Sequence, residues 1–172
     1  MRRQWHLKQK KKRIKRMGEF NDKIEAEFNP PRKWVLSRAL TYRDWHIDVK
    51  ALEKVGVECP AHRITCKKDF VTDLASVPRM CWAFIAPWDV ARAAIIHDLL
   101  YKRIRQYRAE CSKALKNSED PKVIREAKKA SDDVFHMAMK DAEPSVAGWK
   151  IAAAYYSVRM FGRWAIIPRE ED

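Results

Sequence analysis

The amino-acid sequence predicts an α+β fold: a small antiparallel β region followed by three helices, the first two of which form an antiparallel pair. Short segments rich in β-branched and aromatic residues, separated by charged residues, glycine or proline, occupy residues 34–71. From Pro87 onward, apolar residues recur every three to four positions, which is typical of one helix face. The chain has 172 residues, so we expect one domain with a sizeable core.

The β region is predicted to contain four short strands. They lie at residues 34–36, 40–42, 45–49 and 62–66, each bounded by charged residues or turn formers. We interpret them as a small antiparallel sheet or a pair of hairpins.

Three helices are predicted at residues 88–107, 121–141 and 146–161. Asp120 and Pro121 suit the N-cap and the first position of the second helix. The short connection between the first two helices favours an antiparallel pair.

Residues 1–31 are expected to form a basic, flexible N-terminal arm, and residues 32–168 a single α+β domain. Residues 1–16 contain nine Lys and Arg and no acid, whereas the rest of the chain has 27 basic and 23 acidic residues. The net charge of +13 is therefore mostly a property of the arm. The arm suits nucleic-acid phosphates, an acidic partner protein or, less well, an anionic membrane surface, and it also suits a plain solvated extension. Its candidate binding residues are Arg2, Arg3, Lys10, Lys11, Lys12, Arg13, Lys15 and Arg16.

The sequence shows neither a secretory signal peptide nor an apolar run long enough to cross a membrane. We therefore expect the protein in the cytoplasm where it is made, with its four cysteines reduced.

The main candidate site lies in the first long helix. His97, Asp98 and Tyr101 interrupt an apolar segment, and His97 and Tyr101 share one helix face. Buried polar groups need partners, and Asp132 of the second helix is the expected partner of His97. In a catalytic role, His97 would activate water, Asp132 would orient the imidazole, and Tyr101 would support them.

A divalent cation, Ca²⁺ or similar, is the expected cofactor of such a site. Asp98 and Asp73 are its candidate ligands. The alternative is structural: His97 and Asp132 hold two helices together, Asp98 pairs with Arg92 or Lys102, and Asp73 forms a turn.

A second pattern of metal-ligating residue types lies in the β region. Cys59, His62 and Cys66, with Cys81 as a fourth ligand, have a spacing compatible with zinc. Strand alternation at residues 62–66 disfavours convergence of these side chains, so zinc is a minor alternative.

Four ordered motifs resemble the uncharacterised family DUF1353, found mainly in bacteriophages and prophages. They are FVTDLASVPR at residues 70–79, AAIIHDLLY at 93–101, SDDVF at 131–135 with Met139, and YYSVRMFG at 155–162. The resemblance covers about residues 36–165 and implies a phage-encoded protein found in the host cytoplasm or incorporated in the virion. It also places five polar residues at motif positions: Asp73, His97, Asp98, Tyr101 and Asp132.

The helix pair alone is similar to that of secreted phospholipases A2. That similarity implies His97 as the base, Asp98 as a calcium ligand, Tyr101 as a supporting donor and Asp132 as the group that orients His97. The glycine-rich calcium loop of those enzymes has no counterpart before this helix, so Asp73 and its loop would have to replace it.

Two functions therefore compete, with a host-directed effector that binds nucleic acid through the arm as a third and weaker alternative. The first is metal-assisted hydrolysis of an ester or phosphoester. The second is a non-enzymatic phage virion, tail or assembly component whose basic arm binds other phage proteins or DNA. Whether the protein is an enzyme stays open at the level of sequence.

Overall fold

Strands come first and long helices follow in the part of the chain that the structure describes. This computed structural model describes residues 18–21, 23–30, 33–73, 90–114, 119–143 and 145–169. Within these ranges, six short strands and a five-residue helix precede three long helices. The predicted α+β class is confirmed.

The strands form two small antiparallel sheets. The first has the order β1-β4-β5 and the second the order β2-β3-β6 among the described residues. The register pairs Leu40 with Cys66 in the first sheet and Trp34 with Thr72 in the second. The strands are β1 (Gly18–Phe20), β2 (Ala26–Asn29), β3 (Lys33–Leu36), β4 (Leu40–Asp44), β5 (Arg63–Cys66) and β6 (Val71–Thr72).

The helices are α1 (Val49–Glu53), α2 (Ala91–Lys113), α3 (Pro121–Lys140) and α4 (Gly148–Ala165), and a 3₁₀ turn covers Pro60–His62. The predicted cap is confirmed, because the Asp120 carboxylate accepts from Lys122 N at 2.8 Å. α2 and α3 run antiparallel: His97 lies opposite Asp132, whereas Arg108, further along α2, bonds to Glu119 just before α3.

The predicted strand at residues 45–49 is wrong. β4 ends at Asp44, whose carboxylate accepts from the backbone N–H of His46 at 2.8 Å and closes a turn. Asp48 then caps α1 by accepting from Ala51 N at 3.1 Å. The alternation of apolar and polar residues at 45–49 resembles that of a strand. The local structure is instead determined by Asp44, which closes a turn, and Asp48, which caps a helix.

Two described strands lie within the segment assigned to the N-terminal arm. β1 and β2 both lie before residue 32, and β1 pairs with β4. Gly18 N donates to Asp141 Oδ2 at 3.1 Å, and the Tyr42 hydroxyl donates to the same oxygen at 2.9 Å. A Cβ at Gly18 would lie 2.6 Å from that oxygen, so this contact requires glycine. β1 and β2 have only three and four residues and lie in a charged segment, so the alternation of apolar and polar residues that would indicate a strand is not recognisable in the sequence.

The hydrophobic core lies where the sheets and α1 meet α2 and α3. α4 packs against α3 and buries Ile151, Ala154 and Val158. No helix of the described residues is long and apolar enough to cross a membrane. The largest fully buried side chains are Leu36, Leu40, Tyr42, Leu52, Ile64, Ile95, Ile96, Leu100, Ile104, Phe135 and Met139.

Candidate functional site

His97 and Asp132 lie in contact between α2 and α3. His97 Nε2 is 3.2 Å from Asp132 Oδ1, and the two residues are 1% and 0% exposed. The imidazole stacks on Phe135 with ring centroids 4.8 Å apart, and Tyr101 covers another side at 4.0 Å. The helix spacing that places His97 and Tyr101 on one face thus directs both toward α3.

The Asp132 carboxylate is saturated with donors. Oδ1 accepts from the Tyr101 hydroxyl at 2.6 Å and from His97 Nε2. Oδ2 accepts from Lys128 Nζ at 2.7 Å and from Arg159 Nη1 at 3.2 Å. Two cations and two further donors therefore balance one buried carboxylate, as a buried charge requires.

These contacts keep Asp132 ionised. Burial by itself would raise the pKa of Asp132, but hydrogen bonds from His97 and Lys128 outweigh it and lower the pKa to about 2. Burial and the neighbouring carboxylate raise the pKa of Tyr101, so its hydroxyl keeps its proton and donates.

The bond to Asp132 fixes the tautomer of His97. An ionised carboxylate only accepts, so Nε2 carries the proton of the neutral ring and Nδ1 presents a lone pair. Nδ1 is buried and has no hydrogen-bond partner among the described residues. The arrangement thus holds an imidazole by one nitrogen and leaves the other nitrogen, an acceptor, without a described partner.

Asp98 belongs to a different contact. Its Oδ2 accepts from the hydroxyl of Thr72, the buried last residue of β6. Asp73 follows Thr72 directly and is exposed, so its backbone lies at the end of β6 where Thr72 contacts Asp98. Neither Asp73 nor Asp98 contacts Asp132 in the described hydrogen bonds. In the described ranges, no group of three or more His, Cys, Asp or Glu side chains is arranged to hold a metal ion.

Sequence reasoning missed two of the four donors to Asp132. Lys128 lies one helical turn before Asp132, and its Nζ also donates to the Val158 carbonyl at 3.1 Å. Arg159 comes from α4. The spacing of four residues from Lys128 to Asp132 is visible in the sequence and could have indicated this pair. The contact of Arg159 with Asp132 could not be inferred in this way, because it depends on how α4 packs on α3.

A glycine of α4 lets this helix approach the His97 cluster, which consists of His97, Tyr101, Lys128, Asp132 and Arg159. A Cβ at Gly162 would collide with the Tyr101 hydroxyl and would lie 3.2 Å from Lys128 Nζ. Gly162 therefore permits the Tyr101 hydroxyl to remain on Asp132 beneath α4.

The alternative zinc ligands have other contacts. Cys66 is buried and its thiol donates to the Ile95 carbonyl at 3.5 Å, while the His62 ring lies 5.1 Å from that of Trp45. Burial raises the pKa of Cys59 to about 11. Cys81 lies outside the described residues, as do all the candidate arm residues between Arg2 and Arg16.

Comparison with known proteins gives a family and no further relative. No curated protein and no solved structure matches the chain. Residues 49–158, more than half of the chain, match the family model described as "Protein of unknown function (DUF1353)". The matched range contains His97, Asp98, Tyr101 and Asp132, and the chain belongs to the DUF1353 family.

Proposed function

We propose that this protein is a hydrolase in which His97 activates water for attack on an ester or phosphoester. One observation carries the proposal: the His97 ring is held through Nε2, while Nδ1 is a buried acceptor without a described partner. A water molecule bound to Nδ1 would give this lone pair its missing partner and would itself be the nucleophile.

The chemistry follows from the tautomer. As water attacks the carbonyl carbon or phosphorus, its proton passes to Nδ1, and the ring becomes an imidazolium with protons on both nitrogens. The ester C–O or P–O bond then breaks, the leaving alkoxide takes the proton from Nδ1, and the neutral ring is restored. Asp132 holds the ring in place and faces its Nε2–H throughout. Tyr101, Lys128 and Arg159 fix the carboxylate, so its orientation does not change during the reaction.

A divalent cation is the second part of the proposal. Asp98 and Asp73 supply two carboxylates near the end of β6, and Ca²⁺ would complete its six to eight oxygen ligands with carbonyl groups and water. Such an ion would polarise the substrate oxygen. Calorimetric titration with Ca²⁺, Mn²⁺ and Zn²⁺ tests it: we expect Asp98→Asn to weaken binding at least tenfold, and equal affinity in wild type and variant would refute this assignment.

His97→Gln is the decisive variant for the base. Glutamine can keep a donor near the position of Nε2 and so preserve the bond to Asp132, but it has no equivalent of Nδ1. We expect loss of hydrolysis by about 10²–10⁴-fold, the range for general-base catalysis. The substrates are p-nitrophenyl esters and bis(p-nitrophenyl) phosphate, assayed with and without Ca²⁺ and Mn²⁺.

His136→Gln is the matched control. His136 lies on the same helix as Asp132, is half-buried and stacks on Tyr155 at 4.6 Å outside the cluster. We expect it to keep full activity. Wild-type protein that hydrolyses none of these substrates, or a folded His97→Gln variant as active as wild type, would show that His97 and Asp132 serve only to join the two helices.

An assembly role in a phage particle is a second candidate, and the outer face of α4 favours it. Trp149, Tyr156, Met160 and Trp164 are each more than half exposed, an apolar surface suited to burial against another protein. We expect Trp164→Glu to reduce incorporation into particles while hydrolysis stays unchanged. Normal incorporation of this variant would exclude the α4 surface from assembly.

A further inference from the structure

A groove separate from the His97 cluster lies between β5, the loop at residues 67–70 and α2. Its volume is about 480 Å³, within the range of about 300–1,000 Å³ that is typical of small-molecule sites. Neither His97 nor Asp132 is among its described lining residues.

The groove is strongly cationic. Five basic side chains line it, against the two carboxylates of Glu58 and Asp69. In the ranges that the structure describes, no ion pair neutralises any of the five. Unpaired cations around a concave surface concentrate an attractive potential for anions. The basic residues are Arg63, Lys67, Lys68, Lys102 and Arg103.

The same groove has an apolar wall. Phe70, Val71 and Leu99 line it beside the buried Ile64, and Val71 is 44% exposed. Lys102 Nζ lies 5.8 Å from the centroid of the Phe70 ring. A ligand that matches both parts therefore carries an anionic group and an organic body. Lys and Arg bind carboxylates and phosphates through charge-assisted hydrogen bonds, and a phosphate, which carries more charge and more acceptor oxygens, suits a cluster of five cations better.

We propose that this groove binds a small organic phosphate, with the phosphate at Lys102 and Lys68 and the organic part against Phe70 and Val71. A groove of this volume suits a small molecule, whereas a nucleic acid would need a continuous basic track along the surface.

The groove adjoins the Asp98 contact. Lys102 lies one helical turn after Asp98 on α2, and Val71 precedes Thr72, whose hydroxyl bonds to Asp98. A phosphoester in the groove is therefore next to the candidate cation ligands. The inference that this ligand is the substrate rests on the proposed function. The inference that the groove binds it does not.

Phenyl phosphate is the probe, followed by ¹H–¹⁵N NMR of the full chain. We expect shifts of the amides at residues 67–71 and 99–106, and much weaker effects from phenol or inorganic phosphate alone. Lys102→Glu and Lys68→Glu should each weaken binding at least tenfold. Lys113→Glu, an exposed substitution on the same helix but away from the groove, should weaken it less than twofold.

Two results would overturn the proposal. One is the absence of shifts at the groove amides with phenyl phosphate. The other is equal weakening by Lys113→Glu, which would show a general effect of net charge. His97→Gln should bind phenyl phosphate as wild type does, because His97 does not line the groove. Wild-type protein that binds phenyl phosphate but hydrolyses neither it nor the other ester substrates would refute the hydrolase and leave the groove site intact.

Discussion

Replacing Asp132 by Asn measures what the buried cluster contributes to stability and to the tautomer of His97. Asparagine offers one acceptor oxygen and one NH₂ group in place of two acceptor oxygens. We expect its oxygen to face Lys128 and Arg159, because both groups only donate. The NH₂ group then faces His97, whose Nε2 must accept, so the ring proton moves to Nδ1.

The structure sets the size of the effect. The pKa of Asp132 falls from an ordinary 3.8 to about 2, which corresponds to about 2 kcal/mol in favour of the ionised folded protein. The variant also leaves the Lys128 ammonium, 12% exposed, against a neutral group, at an added cost of about 1–3 kcal/mol. We therefore expect the free energy of unfolding to fall by about 3–5 kcal/mol, the range for breaking a buried pair.

Urea unfolding at neutral pH measures this loss, and ¹⁵N NMR of the imidazole reports which nitrogen carries the proton. Asp133→Asn is the matched control, since the neighbouring Asp133 is 35% exposed and pairs with Lys129 at 2.7 Å on the helix surface. It should cost less than about 1 kcal/mol. If Asp132→Asn costs no more than Asp133→Asn, or if the proton stays on Nε2, the reasoning about the cluster is wrong.

Two further predictions concern the same cluster. Because the folded pKa of Asp132 lies below its unfolded value, the contribution of its ionisation to the free energy of unfolding is complete above about pH 4 and is lost as the pH falls toward about 2. The urea midpoint should therefore fall less steeply across this pH window in Asp132→Asn than in wild type. Parallel curves would contradict the lowered pKa of Asp132. Gly162→Ala should cost about 1–3 kcal/mol because its methyl group meets the Tyr101 hydroxyl. Gly148→Ala, where a Cβ meets nothing within 4 Å, serves as control, and equal unfolding free energies for the two variants would refute the collision.

The sequence predicts the long helices well because their apolar period repeats over several turns and Asp120–Pro121 marks a start. It predicts the strands less well. β1, β2 and β6 contain three, four and two residues, too few for an alternating pattern to stand out from a charged background. Their pairing with distant strands, such as β6 with β3, is set by tertiary contacts.

Some contacts of the candidate site were likewise predictable from the sequence and others were not. His97 and Tyr101 were predictable as a pair because a helix of known period fixes their common face, and a buried histidine needs a partner such as Asp132. Arg159 was not predictable as a donor, since its position depends on how α4 rotates against α3. The bond from Thr72 to Asp98 likewise depends on a two-residue strand placed by its sheet.

The contribution of α4 to the cluster has a consequence for biosynthesis. When α2 and α3 have left the ribosome, Asp132 can already meet His97 and Tyr101, but Arg159 and the Val158 carbonyl that binds Lys128 are still to be made. The helix pair is therefore electrostatically incomplete until α4 has been translated and has docked. A chain interrupted between α3 and α4 keeps both halves of the proposed catalytic pair but lacks Arg159, one of the three side chains that fix the Asp132 carboxylate.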